Sequence, residues 1–338
     1  MKILLTGGAG YIGSHTAIEL ILAGHQVTIV DNLANSSATA VARVEALTQS
    51  KVALHRIDLL EVKALDQLFA NQQFDAVVHF AGLKAVGESV REPLNYYHTN
   101  INTTLNLVDC MLRHDVNRLV FSSSATVYGE PEQIPIDESA PIVDATNPYS
   151  RSKLFIEKIL EDVCVANPKF NVARLRYFNP GGAHASGEIG EDPHGTPNNL
   201  LPFVTQVAVG KLKQLVVFGQ DYATPDGTCV RDYIHVVDLA RGHLAAINKL
   251  AENPGLVTYN LGSGVGHSVL DVIHAFETAN HLTLPYAVGP RREGDIAEYY
   301  ADPTKALNEL GWRAEKSLED ICRDAWRWQQ KNPDGYLT

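Results

Sequence analysis

The chain opens with a short apolar strand candidate, Lys2–Thr6, that runs directly into Gly7-Gly8-Ala9-Gly10-Tyr11-Ile12-Gly13. Glycine at every third position permits a tight turn and lets backbone N–H groups approach a pyrophosphate at a helix N-terminus. The pattern predicts a helix from about Tyr11 to Leu22. Alone, the spacing serves equally well for a plain strand–helix turn. Its support is Asp31, at the end of a second strand candidate, Gln26–Val30, where a carboxylate accepts hydrogen bonds from adenosine ribose hydroxyls. The other reading of Asp31 is a strand-end cap. No Arg or Lys stands in Asp31-Asn32-Leu33-Ala34-Asn35-Ser36, and Asp31 would repel a 2′-phosphate. The expected dinucleotide is therefore NAD rather than NADP. Asp58 suits an adenine amino group or, equally, a surface turn.

Further apolar runs, 76–80, 118–122 and 171–176, are separated by helical patterns such as 102–114. This alternation is that of an α/β doubly wound parallel sheet of Rossmann type. At 338 residues the chain is too long for one small core. The texture changes near residue 180, at Asn179-Pro180-Gly181-Gly182-Ala183-His184. Residues 1–180 are expected to bind NAD. Residues 181–338 are expected to form mainly a smaller C-terminal substrate lobe, with some elements returning to the first domain.

Asn147-Pro148 reads as an N-cap and first helical residue, which puts Tyr149 and Lys153 on one helix face. A phenol titrates near 10 in water, and a nearby ammonium lowers that value. Tyr149 is then the candidate base for a hydroxyl proton, Lys153 its partner and a nicotinamide-ribose ligand. Ser124 is a hydrogen-bonding group for the reacting oxygen. The other reading is an amphipathic helix with an incidental Tyr-x-x-x-Lys.

In this order the motifs resemble the extended short-chain dehydrogenase/reductase family. Longer runs narrow the resemblance to its UDP-glucose 4-epimerase branch: His79–Ser89, Phe121–Gly129, Arg176–Pro180, Arg231–Val236 and Pro290–Asp295. The resemblance implies interconversion of UDP-galactose and UDP-glucose through a 4-keto sugar, with a tightly held NAD and a homodimer. It adds Leu59, Phe80, Ala81, Gly82, Lys84, Tyr177 and Phe178 to the NAD contacts that include Asn32, Asn35 and Ser36. It places Lys84, Ser124, Tyr149, Asn179, Asn199, Leu200, Val216, Val217, Phe218, Tyr233, Asp295 and Tyr299 around the UDP-sugar. Arg231 and Arg292 are its candidate diphosphate clamps; read as bare charges, they could equally be a surface ion pair with Asp232 and a solvated group beside Glu293. Bulky Tyr299 implies a preference for the hexose pair over their N-acetyl counterparts. Three positions depart from the family: Thr99, often a cofactor-binding Asn; Thr103, often Gly; and Gly181, often Val.

The sequence weighs against other readings. A nucleotide-sugar dehydratase on this scaffold needs a carboxylic acid after the serine, and Ala125-Thr126 supplies none. A UDP-pentose 4-epimerase shares the mechanism and stays open. A non-catalytic NAD sensor has no need for Ser124, Tyr149 and Lys153 together. A formal net charge of −11 repels phosphate backbones, so no nucleic-acid partner is expected. Cys110, Cys164, Cys229 and Cys322 form no CxxC pair, and the histidines show no ligand spacing, so no metal is expected. His184 and His235 read as structural. No apolar stretch approaches a membrane span or signal peptide, and a reducing cytoplasm is the simplest location.

Overall fold

The structure is a computed structural model that describes all residues except 143, 144, 194, 196, 198, 293 and 338. The strands are β1 (Lys2–Thr6), β2 (Gln26–Val30), β3 (Ala53–His55), β4 (Ala76–His79), β5 (Arg118–Ser124), β6 (Asn171–Tyr177), β7 (Asn179–Gly181), β8 (Leu215–Phe218), β9 (Val230–His235), β10 (Leu256–Leu261), β11 (Gly266–Ser268), β12 (Tyr286–Gly289) and β13 (Glu298–Tyr299). The helices are α1 (Tyr11–Leu22), α2 (Ala38–Thr48), α3 (Val62–Asn71), α4 (Val86–Arg91), α5 (Pro93–Arg113), α6 (Pro148–Ala166), α7 (Leu200–Ala208), α8 (Val236–Leu250), α9 (Val269–Asn280), α10 (Thr304–Leu310) and α11 (Leu318–Lys331).

Seven strands form a wholly parallel sheet in the order β10-β6-β5-β4-β1-β2-β3. Parallel strands are covered on both faces, which is why their sequences read as continuous apolar runs. Side chains alternate between the two covers. Ile3, Leu5, Val78 and Val120 pack with α1, α2 and α8. Leu4, Val77, Leu119 and Phe121 pack with α3, α5 and α6. The chain winds outward from β1 to β3, then restarts at β4 on the other side of β1. Ligands bind beyond the carboxyl ends of strands at such a reversal. Thr6 and His79 pair there in register, so the glycine turn and the loop after β4 lie side by side.

Beyond residue 180 the chain builds two small sheets, β11-β9-β13 with β7 on β9, and β12-β8. They share a core with α7, α9 and α11. Yet α8 packs against α1 and β10 is the edge strand of the large sheet.

Three elements exceed their sequence-predicted lengths, β6 by the single residue Tyr177. The helix expected over 102–114 begins at Pro93, which fits the first helical position. Its first half carries Asn95, Thr99, Asn100 and Asn102, weak helix formers that hide the periodicity. Strand β5 runs to Ser124, because the ladder continues through Ser123↔Arg176 and Ser124↔Tyr177.

Candidate active site

The turn after β1 is built as its glycines require. Gly7 has a φ of 69°, and a Cβ there would lie 2.7 Å from the Ala81 nitrogen. A Cβ on Gly13 would meet the Gly7 carbonyl at 2.6 Å. Gly10 is the N-cap of α1, and a Cβ there would meet only the Gly7 oxygen, at 3.3 Å. The open side at Gly10, with the unshared first N–H groups of α1 at Tyr11, Ile12 and Gly13, is a cradle for an anion. Behind the turn, buried His79 bridges Thr6 Oγ1 at 2.6 Å and Thr104 Oγ1 at 3.0 Å. Burial pushes its imidazole down to about 3, so the bridge is neutral.

Asp31 accepts from Ala9 N at 3.0 Å, Leu33 N at 2.9 Å and Ser36 Oγ at 2.8 Å. A carboxylate has about four acceptor sites, which leaves room for a ribose hydroxyl. Its charge is unpaired by any cation in these contacts, as NAD rather than NADP requires. Asn32 donates to Asp58 at 3.0 Å, Leu59 is buried, and Asn35 is exposed. Phe80 packs on His243, with ring centres 4.8 Å apart, and Ala81 N donates to Thr6 O. Tyr11 donates to the Gly182 carbonyl at 2.7 Å, tying the glycine turn to the start of the second region.

The proton-transfer set converges at the ends of β5 and β6 and the first turn of α6. Asn147 caps α6 by accepting from Ser150 N at 3.0 Å, and Pro148 follows. The Tyr149 phenol stands beside the Ser124 hydroxyl. Burial raises the Tyr149 phenol above its ordinary value, and the neighbouring Ser124 opposes this. This reverses the expectation from sequence, a phenol lowered by Lys153. The reason lies in where the ammonium points: Lys153 Nζ donates to the Ser122 carbonyl at 2.8 Å and sits 5.0 Å from the Phe121 ring centre. Burial lowers Lys153 to about 8, while Glu157 pulls it back up. Tyr177 is buried beside this group, and its hydroxyl has no partner among the described residues. Phe178 packs on Tyr299, 5.6 Å between ring centres.

The substrate-side residues are dispersed over the small sheets. Arg231 donates to the carbonyls of Val230 and Ile296 at 2.8 and 2.7 Å and lies 3.8 Å from Asp295. Arg292 forks onto Asp295 at 2.8 and 3.2 Å, and that bond raises its guanidinium further. Its ion-pair partner is Asp295; Glu293 lies outside the described residues. Arg231 is likewise no partner of Asp232, which holds Ser263, Gly264 and Ala301 instead. Both candidate clamps thus share one carboxylate. Phe218 lies 5.8 Å under Arg292. Val216 and Phe218 are exposed, but Val217 points into the lobe core. Strand alternation forces this, so the Val217 side chain cannot wall a ligand. Leu200 and Tyr233 pack on the same core. Asn179, exposed, pairs with Tyr233 in register. Lys84 and Asn199 both donate to Glu191, at 3.1 and 3.0 Å. Tyr299 donates to the Ala125 carbonyl at 2.5 Å.

Some contributors escape sequence reasoning. Asn100 bonds the backbone of Leu83 in both directions, at 2.7 and 3.1 Å, and donates to Ser152. Thr99 turns to Asn95 instead, so Asn100 holds the Gly82 loop. Its position flanking Thr99 is the one available signal. Asp66, Cys110 and His114 gather their donor atoms within 4.8 Å, a group no spacing rule shows because it spans α3 and α5. Arg113 and His114 already engage the Asp66 carboxylate.

The family model for the NAD dependent epimerase/dehydratase family matches residues 3–262. The chain belongs to the NAD dependent epimerase/dehydratase family. Two UDP-glucose 4-epimerases, from Dictyostelium discoideum and Bacillus subtilis, are each 56% identical to it; the matches cover 99% and 100% of this chain and 97% and 99% of theirs. A crystal structure of UDP-glucose 4-epimerase from Bifidobacterium longum in complex with NAD+ and UDP superposes with a TM-score of 0.96 at 53% identity, covering 99% of this chain and 100% of that one. Membership of this epimerase/dehydratase family accords with the cradle at Gly10, the free acceptor capacity of Asp31 and the unpartnered Tyr177 hydroxyl, all of which fit NAD.

Proposed function

We propose that this chain interconverts UDP-galactose and UDP-glucose by inverting C4 of the sugar. The carrying observation is that Ser124, at the carboxyl end of β5, stands beside the Tyr149 phenol in the first turn of α6, with Lys153 on the same helix face. Tyr149 takes the proton of the sugar 4-hydroxyl while Ser124 holds the reacting oxygen. NAD held at the Gly7–Gly13 turn and Asp31 would supply the hydride acceptor and donor, and its positive charge would favour the Tyr149 anion that burial opposes. The resulting 4-keto sugar stays tethered through its nucleotide, exposes its other face, and recovers its proton from Tyr149. Arg231 and Arg292 hold the diphosphate as Asp295 releases them to it, and Asp295 takes a uridine ribose hydroxyl. Dehydration would need an acid next to Ser124; Thr126 stands there instead and donates its hydroxyl to Ser124 at 2.9 Å.

We assign NAD to the large sheet and the UDP-sugar mainly to the small sheets after residue 180. The working unit is a homodimer: Leu94, Tyr97, Ile101 and Leu105 recur on one stripe of α5, and exposed Phe155 of α6 stacks on Tyr97. Sedimentation at the mass of one chain would refute this. Four free cysteines support a cytoplasmic location, and the net charge argues against nucleic-acid partners. Among the described residues no helix is long and apolar enough to cross a membrane.

The protein as purified, given UDP-galactose without added NAD, is expected to form UDP-glucose. Tyr149→Phe is expected to keep its fold and NAD and to lose about 10²- to 10⁴-fold in rate. An unchanged rate removes Tyr149 from the mechanism.

A further inference from the structure

Glu157 lies on α6 four residues past Lys153 and eight past Tyr149, so the three share a helix face. It is 1% exposed. Its Oε1 accepts from Ser123 Oγ at 2.6 Å and Arg176 Nε at 3.0 Å, and its Oε2 from Arg176 Nη2 at 2.6 Å. Arg174 Nη1 stands 3.7 Å away. Ser123 is the residue before Ser124 on β5, and Arg176 the residue before Tyr177 on β6. One carboxylate therefore ties both strand ends to the helix that carries Tyr149 and Lys153. We propose that Glu157 is a positioning residue for the C4 inversion: it fixes the spacing of Ser124, Tyr149, Lys153 and Tyr177.

A buried ion pair is weak evidence of stabilisation, since well-packed apolar residues often serve as well or better. Fixing one geometry is the better-supported use of such a network. The charges around it define the effect. Glu157 faces Arg174 and Arg176 from β6, Ser123 from β5 and Lys153 from its own helix; Arg176 also lies 4.8 Å over the Tyr128 ring, and Glu161 faces Arg174. Lys153 faces Glu157 on α6, the Ser122 carbonyl and Phe121 on β5, and neutral His79 on β4. Of these, only Glu157 carries a charge opposite to that of Lys153.

The inference rests on the proposed roles of Tyr149 and Lys153, so Tyr149→Phe is measured alongside; full activity there would indict those roles rather than Glu157. In the NAD-loaded protein, Glu157→Gln keeps the shape and an acceptor but removes the charge. It is expected to lower kcat about tenfold with KM for UDP-galactose within about twofold. Without Glu157, Lys153 loses its proton at lower pH, so the alkaline limb of kcat moves toward neutral by about one pH unit. Ser123→Ala keeps the charge and cuts only the tie to β5. It is expected to lower kcat at constant KM and to leave the alkaline limb in place. An unchanged kcat in Glu157→Gln, or a loss matched by the unfolded fraction with an unmoved limb, overturns the proposal. If Glu157→Gln does not fold, Ser123→Ala decides: an unchanged kcat overturns it, and a fall at constant KM and constant melting temperature supports it.

Discussion

A buried hydroxyl without a partner is uncommon in a folded chain, and Tyr177 carries one beside Tyr149 and Ser124. Such a group marks where a bound molecule completes the hydrogen bonding. Gly181 shows the opposite condition. A Cβ there would lie 3.0 Å from Ile321 and 3.4 Å from Leu201, so neighbouring side chains already cover this position. Tyr299 is equally fixed, bound to the Ala125 carbonyl and packed against the tilted ring of Phe178. On the proposed placement of the sugar against Tyr299, a ring so held would restrict the size of the group carried at C2. Tyr299→Ser is expected to raise turnover of UDP-N-acetylglucosamine relative to UDP-glucose by at least about tenfold. Competition kinetics on the two sugars would check this, and an unchanged ratio would take Tyr299 out of specificity.

At the scale of elements, α6 was the most legible part of the site. Its Asn147 cap, Pro148 start and Tyr149–Lys153 face all arise from local rules, and the structure has them at the expected positions. Tyr149 sits in the first turn, so the cap governs its placement. Asn147→Ala is expected to cost about 1 kcal/mol, lowering the melting temperature by about 1–2 °C, and to reduce kcat by displacing the first turn. A calorimetric scan with matched kinetics tests both parts, and a lower melting temperature with full kcat would separate cap from catalysis. The start of α5 was not legible, because buried Asn100, Thr103 and Thr104 break the apolar pattern that betrays a helix. Those residues are buried for their hydrogen bonds, which for Asn100 and Thr104 reach Leu83, Ser152 and His79, partners set 17, 52 and 25 positions away in the chain.

At the scale of the molecule, three histidines set an acid limit. His15, His79 and His243 are buried, and burial lowers them to about 3, 3 and 4 from an ordinary 6.5. Unfolded, they take up protons near pH 6.5; folded, they stay neutral far below it. The unfolded state thus binds more protons in acid, and stability is complete above about 6.5 and falls as pH drops below it. Each histidine costs about 2 kcal/mol at pH 5. The thermal midpoint is expected to fall clearly between pH 7 and pH 5, and equal midpoints would contradict the burial of these imidazoles.

Local rules carried the chain from its first residues to the doubly wound sheet, the glycine turn, Asp31 and the Tyr149–Lys153 face. Each of these depends on neighbours within a few positions, and glycine geometry, capping and periodicity act at that range. Tertiary structure decided the remainder. It returned α8 and β10 to the large sheet, turned Val217 into the lobe core, paired Arg231 and Arg292 through Asp295, and aimed Lys153 at the Ser122 carbonyl rather than at the Tyr149 phenol. Those outcomes depend on which segments meet across long stretches of chain and on how much water burial removes, and neither quantity is a property of a local stretch of sequence.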